Sequence, residues 1–254
     1  MTDFEFVICI PARYQSTRLP GKPLIELKGK PLILWAVESA HQLGAREVTV
    51  ATDDQRIYDL VKKAGFDVVM TAASHTTGTD RIAECAKIKN WSADTWVLNY
   101  QGDEPNIPRD NVQQVLNLLH HNPQAAIGTL YQPIHDLETL FDSNVVKVVT
   151  NDQQQALYFS RAPIPWSQRC FSQQAKCLPE DIEYKRHIGL YVYKVAFLDK
   201  FSQLKPAAIE VCESLEQLRA LATGEQIVVA AAIREMPHGI DTAEDVMRFE
   251  QSNS

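Results

Sequence analysis

From Phe4 to His120 the chain alternates short apolar runs with segments of helical periodicity, and this alternation restricts the fold more than any other feature. Phe4-Glu5-Phe6-Val7-Ile8-Cys9-Ile10 is a β-rich run that stops at Pro11, which predicts a buried first strand followed by a loop. Pro31 opens a helix in which Leu32, Trp35, Ala36, Ser39, Ala40 and Leu43 recur at helical spacing, with Gly44 suited to its C-terminal cap. Val48-Thr49-Val50-Ala51-Thr52 predicts the next strand, and a helix carrying Ile57, Leu60, Val61 and Ala64 follows until Gly65 ends it. Asp67 to Met70, Asp80 to Ile88, Thr95 to Asn99 and Asn111 to His120 continue the pattern as strand, helix, strand and helix. Parallel strands need crossover connections, so short links between such elements predict an α/β fold, with a mostly parallel sheet covered by helices.

After about residue 130 the rhythm changes. Val145-Val146-Lys147-Val148-Val149, then Asn151-Asp152, then Ala156-Leu157-Tyr158-Phe159 reads as an antiparallel hairpin. The stretch from Ala162 to Glu183 has no period and reads as a mobile loop or lid. The α/β pattern returns with Tyr184 to Tyr193, a helix near Ser214 to Ala222, a strand from Ile227 to Ala230 and a last helix after Asp241. The expected organisation is one α/β domain made of residues 1–130 and 205–254, with residues 131–204 inserted as a small antiparallel β subdomain.

A chain of 254 residues with 45% hydrophobic and 22% charged residues has the makings of a globular core. Its net charge of −7 argues against nucleic acid as a partner, since that needs a broadly basic surface. The exception is local: Arg13, Arg18, Lys22, Lys28 and Lys30 lie close together with Glu26 as the one acid among them, a concentration of charge suited to a phosphate group. Cys9, Cys85, Cys170, Cys177 and Cys212 lack C-x-x-C spacing, so neither a zinc site nor a disulfide framework is signalled. No stretch approaches 18 uninterrupted apolar residues and the N-terminus lacks the pattern of a signal peptide, so a cytoplasmic protein without membrane association is expected.

The segment from Pro11 to Pro23 leaves the first predicted strand. It matches neither the Walker A pattern nor the G-x-G-x-x-G of dinucleotide sites. Arg13, Ser16, Arg18 and Lys22 on such a loop can surround a polyphosphate with charge-assisted donors, or form a merely basic surface. Gln101-Gly102-Asp103-Glu104-Pro105 follows a predicted parallel strand, which puts Asp103 at the carboxyl end where open α/β sheets bind ligands. Asp241 precedes Thr242-Ala243-Glu244-Asp245, a variant of the capping box that fixes a helix start. Read alone, Asp103 is equally a turn residue and Asp241 a helix N-terminal charge.

Pro-Ala-Arg-x-x-Ser-x-Arg-Leu-Pro-Gly-Lys-Pro-Leu, from Pro11, resembles the opening signature of the sugar-acid cytidylyltransferases, specifically those acting on 3-deoxy-manno-octulosonate (Kdo). The resemblance recurs in order at Ala51-Thr52-Asp53-Asp54, His75 to Arg81, Asn99 to Pro105, Phe159 to Pro165, Tyr184 to Gly189, Leu215 to Arg219 and Gly239 to Thr242. It implies a nucleotidyltransferase, Rossmann-like fold and the transfer of CMP from CTP to Kdo for lipopolysaccharide synthesis, with release of pyrophosphate. In this implied scheme the anomeric hydroxyl attacks the α-phosphorus. Asp103 and Asp241 are the implied Mg2+ ligands and, with Lys22, the catalytic residues. Arg13, Ser16, Arg18, Lys22, Asp53, Ser74, Thr77, Gly78, Thr79 and Arg81 are implied to bind CTP. Gln101, Arg161, Tyr184, His187, Glu216 and Gln217 are implied to bind the sugar acid, with Arg161 and His187 as cationic donors to its carboxylate. Read without the resemblance, Ser74 to Arg81 is a loop and helix cap supplied by Asp80, while Tyr184 and His187 only pack and Glu216 and Gln217 decorate a helix. The resemblance also suggests a homodimer through the hairpin, although a monomeric flap has the same sequence pattern. A cytidylyltransferase for another ketose acid such as sialic acid, or a nucleotide-binding module without turnover, remains a competing reading.

Overall fold

The computed structural model describes residues 5–15, 19–172, 177–237 and 239–251. Its strands are β1 (Phe6–Ala12), β2 (Glu26–Leu27), β3 (Lys30–Pro31), β4 (Glu47–Thr52), β5 (Asp67–Met70), β6 (Trp96–Asn99), β7 (Ile127–Ile134), β8 (Lys147–Thr150), β9 (Ala156–Ser160), β10 (Tyr184–Lys194) and β11 (Ile227–Ala231). Its helices are α1 (Leu32–His41), α2 (Gln55–Lys63), α3 (Gly78–Ile88), α4 (Arg109–His120), α5 (Leu137–Phe141), α6 (Gln168–Phe171), α7 (Val195–Phe201), α8 (Ala208–Glu213), α9 (Gln217–Ala222) and α10 (Ala243–Gln251).

One nine-stranded sheet runs in the order β11-β7-β10-β6-β1-β4-β5, and β8 and β9 extend it from β10. β1 pairs in parallel with β4 and β6, β4 with β5, and β11 with β7, while β10 runs antiparallel to both β6 and β7. The expected mostly parallel α/β sheet is therefore present, with one antiparallel strand near its centre. β1 shows why the sheet needs cover on both faces. Successive side chains of a strand point to opposite sides, so Phe6, Ile8 and Ile10 enter a core with α1, α2 and α4, while Val7 and Cys9 enter a second core with α3, α7 and α9.

The inserted segment is less separate than the sequence suggests. β7 and β10 are long strands whose inner parts belong to the main sheet, and Arg186 on the outer part of β10 pairs with Lys147 on β8. The hairpin β8–β9 is thus a continuation of the same sheet. The stretch 162–183 also departs from expectation. It contains α6, and Phe171 is buried against Phe141, Trp166 and Tyr184. The helix predicted near Ser214 to Ala222 is present as α9, and it starts only after Ser214, whose φ of 53° ends the additional helix α8. None of the described helices is long and apolar enough to cross a membrane.

β7 and α4 approach closely at Gly128. A Cβ there meets the Leu119 Cβ at 3.1 Å and the Val115 carbonyl oxygen at 3.2 Å, neither of which yields without moving α4. Gly128→Ala is expected to destabilise the protein by about 1–3 kcal/mol through overpacking. The midpoint of urea unfolding checks this; an unchanged midpoint contradicts the packing described.

Candidate active site

β1 and β6 lie side by side in parallel and end at the same edge of the sheet, so the segments that follow them face one another. Between them opens a cavity of about 770 Å3. Its floor is Pro11 and Ala12 at the end of β1, Arg13, Gln15 and Lys22 after it, Gln101, Gly102 and Asp103 after β6, and Asp241. One wall is His75, Thr76, Thr77, Gly78 and Arg81, and the other is Pro206, Glu210, Val211, Ser214, Leu215 and Glu216.

Lys22 is placed by a tight turn. Gly21 has a φ of 70°, a conformation that favours glycine, and its Cα faces the Tyr14 ring so closely that a Cβ falls 3.1 Å from it. The chain then enters a 3-10 turn at Lys22–Leu24, and Lys22 is buried. Its ammonium donates to Asp103 Oδ2 at 2.6 Å and to Asp241 Oδ1 at 2.8 Å. The two carboxylates come from distant parts of the chain and are brought together by backbone bonding: the Ile240 amide donates to the Asp103 carbonyl at 2.9 Å.

The capping motif expected after Asp241 is present. Asp245 accepts from the amides of Asp241 and Thr242 and from the Thr242 hydroxyl, while its own amide donates back to that hydroxyl. Burial opposes ionisation of Asp245, but these donors outweigh it and hold its carboxyl below the ordinary range. Gly239 passes directly over Glu104, where an added Cβ falls 2.9 Å from Oε1. Burial first, and then the neighbouring Asp103 carboxylate, push Glu104 up to about 8. Its Oε2 has no hydrogen-bond partner among the described residues.

On the first wall, the cap of α3 is Thr77. Its hydroxyl accepts from the Asp80 amide at 3.1 Å and donates to the Asp80 carboxylate at 2.7 Å, so Asp80 is not the cap as expected but its partner. The positive end of α3 opens on the cavity through Thr77 and Gly78, a setting that favours anions. The Arg81 guanidinium reaches back to Asp53 at 2.7 Å and to the Thr71 hydroxyl at 2.5 Å. Thr79 faces Glu216 with its amide at 3.2 Å and its hydroxyl at 2.8 Å. Enclosure by protein raises the Glu216 carboxyl above its ordinary value.

Of the residues implied to bind CTP, Arg13, Lys22, Thr77, Gly78 and Arg81 line the cavity. Asp53 and Thr79 stand behind it, Ser74 is exposed outside its lining, and Ser16 and Arg18 lie outside the described residues. Of the residues implied to bind the sugar, Gln101 and Glu216 line it. Gln217 is buried in α9, and Tyr184 is buried with its hydroxyl donating to the Pro165 carbonyl at 3.0 Å. Arg161 donates to the carbonyls of Glu213 and Ser143, at 2.8 and 2.9 Å.

His187 corrects the expected pair of cationic donors. Its ring packs against Phe159 and Tyr191, with Nε2 3.1 Å from the Thr129 hydroxyl, and desolvation pushes it down to about 3. A neutral imidazole is not the cationic donor expected for a carboxylate. His75 and Glu210 are the titratable wall residues that sequence reasoning leaves unassigned. His75 sits within a quoted motif and bonds Glu84 at 2.5 Å, whereas α8, which carries Glu210, gave no periodic signal.

The folded state refuses the His187 proton until about pH 3, whereas an ordinary histidine accepts it near 6.5. As pH falls from about 6.5 towards 3, the unfolded chain therefore binds one more proton at this site than the folded chain. The site lowers stability through that window and is neutral above it. In a proton NMR titration of the folded protein, the His187 ring resonance is expected to stay constant down to pH 5. A midpoint near 6.5 contradicts the packing described.

The family model described as Cytidylyltransferase matches residues 7–227. A 3-deoxy-manno-octulosonate cytidylyltransferase from Stenotrophomonas maltophilia (strain K279a) is 50% identical, over 97% of this chain and 96% of that protein. One from Hahella chejuensis is 49% identical, over 96% of this chain and 95% of that protein. Among solved structures, CMP:2-keto-3-deoxy-manno-octonic acid synthetase complexed with CTP superposes with a TM-score of 0.85 at 38% identity, covering 97% of both chains. With this similarity along the whole sequence and fold, the chain belongs to the cytidylyltransferase family and, within it, to the 3-deoxy-manno-octulosonate cytidylyltransferases.

Proposed function

We propose that the protein transfers CMP from CTP to Kdo, forming CMP-Kdo and pyrophosphate in the cytoplasm for lipopolysaccharide synthesis. The observation that carries this reading is the Lys22 ammonium held between Asp103 and Asp241 on the cavity floor. A site that already gathers two carboxylates around one cation has the hard oxygen donors that Mg2+ prefers, and Mg2+ commonly takes few protein carboxylates and completes its shell from substrate and water. No cluster of three or more His, Cys, Asp and Glu side chains competes for a metal among the described residues. Asp103 and Asp241 would hold the ion; when bound, it supplies charge neutralisation at the α-phosphate and lowers the pKa of the attacking hydroxyl.

The chain's own residues provide the rest. Arg13 and Lys22 hold the triphosphate, and Lys22 offsets charge that builds on the departing pyrophosphate. Thr77, Gly78 and Arg81 face the nucleoside, with Asp53 fixing the Arg81 guanidinium. Gln101 and Glu216 address sugar hydroxyls, and positioning of the anomeric oxygen in line with the leaving group is the main work of the site. Leu157 on β9 and Trp166 are exposed at the outer end of the sheet, which supports assembly into a homodimer there.

Asp103→Asn and Asp241→Asn are each expected to slow single-turnover CMP-Kdo formation by at least about 100-fold, because charge stabilisation of a transition state has that order of effect. Thermal stability should change little, since one carboxylate remains to pair with Lys22. The test is single-turnover synthesis from CTP and Kdo across a Mg2+ titration. Rates and metal midpoints equal to wild type in both variants contradict the two-aspartate site.

A further inference from the structure

Behind the cavity, the two walls are joined through a side chain that touches neither substrate space. Arg219 on α9 is 2% exposed and is not part of the cavity lining. Its guanidinium takes Glu210, a residue of the second wall, with Nε at 2.9 Å and Nη2 at 2.6 Å. Nη1 reaches Asp80, beside the first wall, at 3.2 Å. The Phe201 ring lies 4.3 Å from the guanidinium carbon and closes one face of the group. Glu210 is itself fixed, accepting from the Ala207 amide at 2.9 Å, and Asp80 is fixed by Thr77.

This arrangement has a geometric consequence. Arginine offers a rigid planar fork, so two carboxylates bound to it are set at a defined separation and angle. One carboxylate belongs to the helix whose start forms the first wall, and the other to the helix that forms the second. Thr79 and Glu216 make a parallel joint between the same two walls, but through a neutral hydroxyl and an amide.

We infer that Arg219 is a positioning residue for both substrates: it sets the width of the cavity by joining the nucleotide wall to the sugar wall. The inference rests on the substrate assignment proposed above. Loosening the joint leaves the floor, with Lys22, Asp103 and Asp241, in place. A cavity whose walls are less often at the correct spacing binds each ligand more weakly, in proportion to the fraction of correctly set molecules. The loss therefore falls on the KM of both substrates and spares turnover at saturation.

Asp80→Asn is the sharper variant, because it weakens the joint from the nucleotide side while the amide oxygen still accepts from Thr77. Arg219→Lys keeps the charge and removes the fork. Steady-state kinetics with CTP and Kdo, each varied at saturating partner, should show both KM values raised by about fivefold or more in Asp80→Asn. kcat should stay within about threefold of wild type. Arg219→Lys should give the same signature or a larger one, and if it fails to fold, Asp80→Asn alone decides. Unchanged KM values, or a rise for CTP with none for Kdo, overturn the inference. Product formation by wild type is measured in the same assay, so failure of the substrate assignment shows there and is distinct from failure of the variants to differ.

Discussion

The contact of Lys22 with Asp103 and Asp241 is the constraint around which the site is arranged. Two carboxylates facing one cavity repel one another in the absence of a cation, so their approach requires a positive charge between them and a backbone that resists their separation. The sequence provides both. Gly21 turns the chain so that Lys22 points inward, the Ile240 amide bonds the Asp103 carbonyl, and Asp245 locks the backbone of Asp241 and Thr242. β1 and β6 must be parallel neighbours for the first two segments to meet, and the two cores on either face of the sheet enforce that pairing. Gly239 lets its segment cross directly over Glu104, where an added Cβ pushes the Glu104 carboxyl aside.

The overall charge of the protein and the charge of the site have opposite signs. A net charge of −7 repels a polyphosphate at long range. Binding therefore depends on local design: Arg13, Lys22 and Arg81 line one cavity together with the positive end of α3. The acids near them are largely engaged already, Asp53 by Arg81, Asp80 and Glu210 by Arg219, and Glu216 by Thr79. Paired acids keep their charge, and pairing fixes where that charge sits. They also convert charge into rigidity, because each pair ties a wall to its neighbour.

Much of this was legible in the sequence where local signals are strong. The alternation from β1 to α4 follows from apolar runs and periodic helices, and the same pattern puts Asp103 just beyond the end of a parallel strand. β7 was not legible: Ile-Gly-Thr-Leu-Tyr-Gln-Pro-Ile contains a glycine and a proline, and the strand is made by its neighbours β10 and β11 on either side. The charge of His187 is not legible for a related reason. A histidine in a ligand-binding motif suggests a cation, but the rings of Phe159 and Tyr191 that desolvate it come from tertiary packing. Arg219 and Asp80 are 139 positions apart, and sequence alone shows Asp80 as a helix cap and gives Arg219 no partner.

The most direct test of the account follows the phosphorus atoms. Purified protein is mixed with CTP, Kdo and Mg2+ and observed by 31P NMR, with N-acetylneuraminate replacing Kdo in a parallel sample. The account predicts that CTP is replaced by equal amounts of a CMP diester and pyrophosphate with Kdo, and that the parallel sample stays unchanged or reacts far more slowly. CTP that persists with Kdo, or that breaks down without forming the diester, contradicts it.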